Sequence, residues 1–214
     1  MSHGPARRDN PFSSRFVRPG ALPFVYPDGL SSERLLDRLA RHAWRGAIVG
    51  GHGSGKSALL ASLFEEVQRA GRQPWHVVLR EGERRLPLPL EAIAACGPNG
   101  LLLIDGYEQL GRWYRWRLAR HCRRAGVGQL VTAHAPCELP TLVVLEPTLD
   151  LMLRLVQQLS AGQALPIREE EIAAAFAAAG GNVREALFTL YDLFEERCGA
   201  REAPLPEDGG LPDA

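Results

Sequence analysis

Several ordinary ingredients are scarce in this sequence of 214 residues. It contains one lysine beside 24 arginines, and its 25 basic side chains are balanced by 25 acidic ones, so no net field draws it toward nucleic acid or lipid. No apolar run approaches the ~20 residues of a membrane-spanning helix. Arginines near the start are not followed by an apolar stretch, so no secretory signal is indicated. We therefore expect a cytoplasmic protein without membrane contact.

Cysteine is also sparse, and its spacing excludes the common cysteine-based sites. The four cysteines (96, 122, 137 and 198) form no C-x-x-C pair and do not cluster with histidine. In a chain without an export signal this pattern predicts reduced thiols rather than a disulfide or a zinc site. The remaining composition, 45% apolar and 23% charged, is typical of a globular protein.

The single lysine, Lys56, lies in a glycine-rich motif. Residues 50–57 read GGHGSGKS and match G-x-x-x-x-G-K-[ST] at every fixed position. The β-prone run 47–49 precedes the motif, and residues 58–67 have apolar positions at helical spacing. The sequence thus predicts a strand, a phosphate-binding loop and a helix. The candidate binding residues are Gly50, Gly51, His52, Gly53, Ser54, Gly55, Lys56, Ser57 and Ala58.

This motif carries a specific chemistry. Its glycines let consecutive main-chain amides point inward as an anion nest, and the following helix adds its positive dipole end. We expect Lys56 to reach the β- and γ-phosphates of a nucleotide, and the Ser57 hydroxyl to be a ligand of Mg²⁺. The predicted ligands are therefore ATP and Mg²⁺, although the motif does not distinguish adenine from guanine.

A carboxylate follows a second apolar run. Residues 100–105 read GLLLID, which predicts a central parallel strand with Asp105 at its tip, where open α/β sheets bind ligands. Further β-prone runs at 75–79, 129–134 and 142–145 complete five strands with helical crossovers. The sequence predicts an α/β fold: a parallel five-stranded P-loop NTPase sheet with helices on both faces. Asp105 is the candidate second ligand of Mg²⁺.

With these motifs the chain resembles the AAA+-like P-loop ATPases, over residues 30–197. The resemblance implies that Thr132, at the end of the fourth strand, reads the γ-phosphate. His134, two residues on, is similar to the histidine that does so in ABC ATPases, but residues 86–99 contain no LSGGQ-like signature, so a transporter subunit is not expected. Such ATPases usually carry a glutamate directly after the strand-end aspartate, where this chain has Gly106. Glu108 is the preferred candidate for the hydrolytic base, and Glu81 is the other.

The last third of the chain changes to helical periodicity, which predicts three amphipathic helices. This region is similar to the small helical lid of AAA+ proteins, and the run 181–187 (GNVREAL) is similar to the segment that carries their second sensor arginine, here Arg184. The expected organisation is a partly disordered N-terminal arm at 1–29 that covers the adenine, a P-loop nucleotide-binding core at 30–146, a helical lid at 147–198 and a disordered tail at 199–214.

Residues 112–124 combine six arginines with aromatic side chains and no acid. We expect Trp113, Leu118 and Tyr114 to face the sheet. The arginines fit a solvated helix face, a nucleic-acid contact, or a contact with a neighbouring subunit or protein partner, for which AAA+ rings use an arginine at the end of this helix. The candidates there are Arg123 and Arg124.

These observations predict a Mg-ATP-binding, AAA+-like ATPase that couples hydrolysis to lid movement and partner engagement. The alternative is an ATP-dependent switch or loader, which binds a partner or DNA with little turnover. A small-molecule kinase is disfavoured, because the sequence shows no acceptor site.

Overall fold

The computed structural model describes residues 10–17, 19–21, 23–161 and 164–199. Residues 1–9 of the predicted arm, and residues 200–214 of the predicted tail, lie outside this part. The strands are β1 (Arg45–Gly50), β2 (Gln73–Val78), β3 (Gly100–Asp105), β4 (Gly128–Ala133) and β5 (Thr141–Leu145). The helices are α1 (Ser14–Val17), α2 (Ser32–Arg41), α3 (Lys56–Arg69), α4 (Leu90–Ala95), α5 (Arg112–Ala125), α6 (Leu149–Ser160), α7 (Glu169–Ala178) and α8 (Val183–Gly199).

The five strands form one parallel sheet in the order β2-β3-β4-β1-β5. Strand β4 therefore lies between the strand before the glycine loop and the strand that ends in Asp105. Parallel neighbours need crossover connections, and the intervening helices supply them. The predicted fold class, a parallel five-stranded α/β sheet with helices on both faces, is confirmed.

The sheet is buried on both faces, and its central strand shows how. Side chains alternate along β3, so Leu101 and Leu103 join one apolar cluster with α2 and α3. Leu102 and Ile104 join the opposite cluster, with α4 and α5. All four are at most 1% exposed, as their unbroken apolar run predicted for a strand covered on both sides.

Helices α6, α7 and α8 pack together beyond β5 around a third apolar cluster. We call these three helices the helical cluster. Phe12 from the N-terminal segment is buried in it, with its ring 6.3 Å from that of Phe194. The Asn10 side chain donates to the carbonyl of Tyr191 and to Glu195. The segment beginning at residue 10 therefore packs against α8.

The prediction that Trp113 faces the sheet is wrong, because its side chain is 64% exposed. Residues four apart lie on one side of a helix, and the inward side of α5 consists of Tyr114, Leu118 and Cys122. Trp113 lies about 100° around the helix from Tyr114, which turns it toward solvent.

Candidate nucleotide-binding site

The glycine motif forms the turn from β1 into α3 at the carboxyl end of the sheet. Gly53 and Gly55 have φ of +67° and +91°, a backbone region that favours glycine. Gly50 needs its missing side chain for another reason, since a Cβ there would lie 2.8 Å from the carbonyl oxygen of Leu145. These glycines allow the tight path that brings main-chain amides and the start of α3 together.

Lys56 lies at the first position of α3 and is only 8% exposed. Its Nζ donates to the carbonyl oxygens of Gly50 and Gly51, at 2.8 and 2.6 Å. Burial lowers the pKa of this ammonium group, while the charges of Glu108 and Asp105 act in the opposite direction. The ammonium is thus held inside the loop by two main-chain carbonyls, and it has three N–H donors in all.

The helical cluster touches the loop through Asn182. A Cβ on Gly53 would lie 1.7 Å from Asn182 Oδ1, so the two backbones can approach only because residue 53 is glycine. The same oxygen accepts from the amides of Arg184 and Glu185 and so caps α8. The Asn182 side chain therefore contacts the glycine loop and caps the start of α8.

Asp105 is oriented by a neighbouring strand. The buried Thr132 hydroxyl donates to Asp105 Oδ1 at 2.7 Å and accepts from the amide of Gly106 at 2.9 Å. Because both hydrogen bonds are made within the protein, the structure favours a role for Thr132 in positioning Asp105 over direct phosphate contact.

Gly106 explains why no glutamate follows Asp105. Its φ is +85°, and a Cβ there would lie 2.7 Å from the carbonyl oxygen of Leu79. Any side chain at this position would be strained and would overlap the backbone beyond β2. The turn instead continues into a 3₁₀ segment, Tyr107–Gln109, which carries Glu108.

Glu108 is paired with His134, since its Oε1 lies 2.8 Å from His134 Nε2. The ring of His52, from the glycine loop, packs against His134 with centroids 3.9 Å apart. Burial lowers the pKa of His134, and although Glu108 opposes the shift, the charge of Lys56 adds to it. A neutral imidazole whose Nε2–H donates to the carboxylate fits this arrangement.

A second carboxylate supports the turn that carries Glu108. The Tyr107 ring is fully buried, and its hydroxyl donates to Glu138 Oε1 at 2.7 Å. Burial and this carboxylate raise the pKa of Tyr107. Arg115 from α5 lies 3.5 Å from Glu138 and 5.4 Å from the centre of the Tyr107 ring. Sequence reasoning missed Tyr107 and Glu138; the tyrosine beside Gly106 was the only local signal.

A cleft of about 340 Å³ extends from the glycine loop between the sheet and the helical cluster. Its walls are mostly apolar, with Phe24 and Val25 on the N-terminal segment, Met152 on α6 and Leu187 on α8. The loop lines it from Gly53 to Ala58. The cleft thus joins an apolar pocket to the glycine loop and Lys56.

The structure brings most of the candidate residues to this one region. Ser57 and Ala58 line the cleft, and so does Arg184, whose charge acts on Lys56. Glu81 is exposed in the turn after β2 and has no contact with Lys56 or His134 among the interactions of the described residues.

The described residues contain neither a metal cluster nor a membrane-spanning helix. No three histidine, cysteine, aspartate or glutamate side chains converge there as a metal cluster. A Mg²⁺ ion held by one or two protein oxygens and by substrate phosphates needs no such cluster. None of the helices in this part combines the length and apolar character required to cross a bilayer.

No protein-family model matches the sequence, and neither does any curated protein. Solved structures do resemble it. A DNA replication initiation factor matches with a TM-score of 0.52 and 15% identity, over 84% of this chain and 67% of that one. NtrX from Brucella abortus matches with a TM-score of 0.48 and 14% identity, over 86% and 58% of the respective chains.

The likeness to the replication factor, together with the strand order, decides the fold. The chain has an AAA+-like P-loop NTPase fold. At 15% identity the likeness concerns the fold alone. The AAA+-like fold expected from the glycine motif and Asp105 is confirmed, whereas the roles of the individual site residues stay predictions.

Proposed function

We propose that this protein binds Mg-ATP in the cleft and hydrolyses it. The observation that carries the proposal is the convergence of the glycine loop with two carboxylates. Burial in the loop lowers the pKa of Lys56, and the negative charges of Glu108 and Asp105 oppose that shift. Both acids come from the end of β3, which β4 separates from β1 in the sheet. An ammonium, an amide nest and acidic side chains at the edge of an apolar cleft suit a nucleoside triphosphate and its cation.

The loop fits phosphate in several independent ways. The Ser54 hydroxyl is buried without a hydrogen-bond partner among the described atoms, so a donor is available there. Apart from its two chain neighbours, no described residue has an atom within 4 Å of the position that a Cβ of Gly51 would take, so space remains beside the backbone. Lys56 contributes a positive charge whose present acceptors are neutral carbonyls, and phosphate oxygens would be stronger acceptors.

Each candidate residue then has a distinct task. Lys56 would contact the β- and γ-phosphates, and Arg184 would approach from the helical cluster. Ser57 and Asp105 would hold Mg²⁺, with Thr132 keeping the aspartate oriented. Bound Mg²⁺ would neutralise charge that develops on the phosphate oxygens. The apolar walls, including those from residues 23–27, would enclose the base.

Hydrolysis requires a base that orients water, and Glu108 is better placed than Glu81. Its carboxylate lies near Lys56 and is held by His134, and one of its oxygens, Oε2, is buried without a hydrogen-bond partner among the described atoms. That oxygen is available to accept a proton from water. His134 would keep the side chain aimed, and His52 would pack behind it.

One observation favours the second candidate function, an ATP-dependent switch with little turnover. Gly106 cannot take the glutamate that such ATPases usually carry there, and the nearest replacement, Glu108, is already engaged by His134. A protein in which this pair never opens would bind ATP, move the helical cluster against the loop and release no phosphate. Its output would then be the engagement of a partner.

Calorimetry with ATP and Mg²⁺, together with phosphate release, separates the two. We expect Lys56→Ala to abolish binding, because it removes the only buried cation of the loop. Glu108→Gln should retain binding but lose about 10²-fold or more in release, the usual contribution of a general base. Glu81→Gln is the matched control and should resemble the wild type. Tight binding without release in the wild type would select the switch, and no ATP binding at millimolar concentration would refute both functions.

The assembly state stays a prediction. Light scattering with size exclusion, run with and without ATP, tests whether nucleotide drives association. Association that depends on Arg123 and Arg124, both exposed at the end of α5, would support a subunit contact there.

A further inference from the structure

Helix α5 carries an unusual surface. It has six arginines and no acidic residue in 14 positions. With about 100° between successive residues, five of these arginines and both tryptophans fall within an arc of about 140°. We call this surface the Arg/Trp face. It consists of Arg112, Trp113, Trp116, Arg117, Arg120, Arg123 and Arg124.

Within the part of the chain that the structure describes, the Arg/Trp face contributes no residue to an apolar core cluster. The opposite side of α5 supplies the buried residues Leu118, Ala119 and Cys122, and the sixth arginine, Arg115, pairs with Glu138. Trp113 and Trp116 are 64% and 56% exposed. Exposed tryptophans are unfavourable in water, so two on one face indicate an interaction surface.

Cations and rings are already organised on this surface. The Arg117 guanidinium lies 4.8 Å from the centre of the Trp113 ring, and that of Arg120 lies 5.8 Å from the Trp116 ring. A guanidinium covers one face of an indole, so the other face remains available for stacking. Within the described part of the chain, none of the five arginines forms an ion pair with a carboxylate.

We propose that the Arg/Trp face binds single-stranded nucleic acid. A single strand offers phosphates for the arginines and unpaired bases for Trp113 and Trp116, whereas a duplex hides its base faces. An acidic protein surface would satisfy the arginines but would leave two indoles without a matching partner. The face extends about 18 Å along α5, which gives room for several successive contacts. The neutral net charge of the whole chain does not oppose this, because the positive charge is concentrated on one helix.

This inference is independent of the proposed nucleotide site. The face shares no residue with the glycine loop or with the Glu108–His134 pair. Its test can therefore be made without ATP, and Lys56→Ala should bind nucleic acid as the wild type does. Failure of one proposal leaves the other standing.

The test is fluorescence anisotropy of a labelled oligodeoxythymidylate of about 20 nucleotides, long enough to span such a face. Trp113→Ala and Trp116→Ala should each weaken binding about tenfold, because stacking on one base is lost. Trp75→Ala is the matched control, since Trp75 is 41% exposed on edge strand β2. It should leave the affinity within about twofold.

Salt dependence tests the arginines separately. Five phosphate contacts give a slope of log K against log salt of about −3.5, at about −0.7 per contact on a single strand. The double variant Arg117→Gln/Arg120→Gln removes two phosphate contacts and should reduce the magnitude of this slope by about 1.4. Arg41→Gln/Arg69→Gln, which removes two exposed arginines from α2 and α3, should leave it unchanged.

Four outcomes would overturn the proposal. They are no binding of the oligonucleotide, tighter binding of a duplex of equal length, equal weakening by Trp75→Ala, and self-association that the same α5 variants abolish while no oligonucleotide binds. The last result would assign the Arg/Trp face to a second copy of this chain.

Discussion

The contact between Gly53 and Asn182 leads to a sharp prediction about stability. Gly53 has a φ of +67°, and an added Cβ would overlap Asn182 Oδ1. Gly53→Ala should cost about 1–2 kcal/mol for the left-handed backbone alone. Asn182 would also have to move away from the amides of Arg184 and Glu185, which loses a helix cap of about 1 kcal/mol. The expected total is about 2–3 kcal/mol.

Urea unfolding without nucleotide measures this cost. Gly71→Ala is the matched control, because Gly71 has a φ of +78° and no atom within 4 Å of its Cβ position. Gly71→Ala should therefore lower the free energy of unfolding only by the cost of the left-handed backbone, about 1–2 kcal/mol. Asn182→Ala alone should cost about 1 kcal/mol, and the double variant with Gly53→Ala should cost no more than Gly53→Ala itself, since the cap is lost once. The contact would be refuted if the cost of the double variant equalled the sum of the two single costs to within about 0.5 kcal/mol, which is roughly the error of additivity for independent sites.

Three further predictions concern the other strand ends. Thr132→Val should cost about 1–3 kcal/mol in urea unfolding, because Asp105 loses a buried donor. Gly106→Ala should cost more than about 2 kcal/mol, since the left-handed φ and the overlap with the Leu79 carbonyl act together. Burial lowers the pKa of His134 in the folded protein, whereas an unfolded histidine has a pKa of about 6.5. As the pH falls through that value, the unfolded chain therefore binds a proton at this residue before the folded protein does. The free energy of unfolding should therefore fall on acidification, and His134→Gln should reduce that dependence.

Each of these has a control in the same chain. Thr189→Val removes a hydroxyl on the exposed side of α8, where it donates to the carbonyl of Glu185. It should lower the free energy of unfolding by less than about 0.5 kcal/mol. Gly82→Ala shares a positive φ, +88°, but meets no atom within 4 Å, so it should cost clearly less than Gly106→Ala. His76→Gln, which changes an exposed histidine on β2, is the matched histidine control for His134→Gln. Equal effects of a variant and its control would contradict the geometry on which that prediction depends.

Local signals were sufficient for much of the fold. The glycine motif, the apolar run before Asp105 and the helical periodicity after residue 147 each act over a few residues, and the structure has a loop, a buried strand and helices at those places. The inward side of α5 was only partly predicted. Several of its aromatic residues could have faced the sheet, and which ones do depends on how the helix is rotated against its neighbours.

The amino-acid sequence by itself determined that a glycine-rich loop follows β1 and that a carboxylate ends β3, because both depend on short, contiguous patterns. Only the tertiary structure decided that Thr132 forms a hydrogen bond with Asp105, that His134 pairs with Glu108 and that Asn182 packs against Gly53. These partners are between 26 and 129 residues apart in the chain. The first two pairs meet because parallel strands bring their carboxyl ends to one edge of the sheet, and the third meets because α8 packs beside the glycine loop. Strand order and helix docking are set by the whole core, so no local pattern could have specified these contacts.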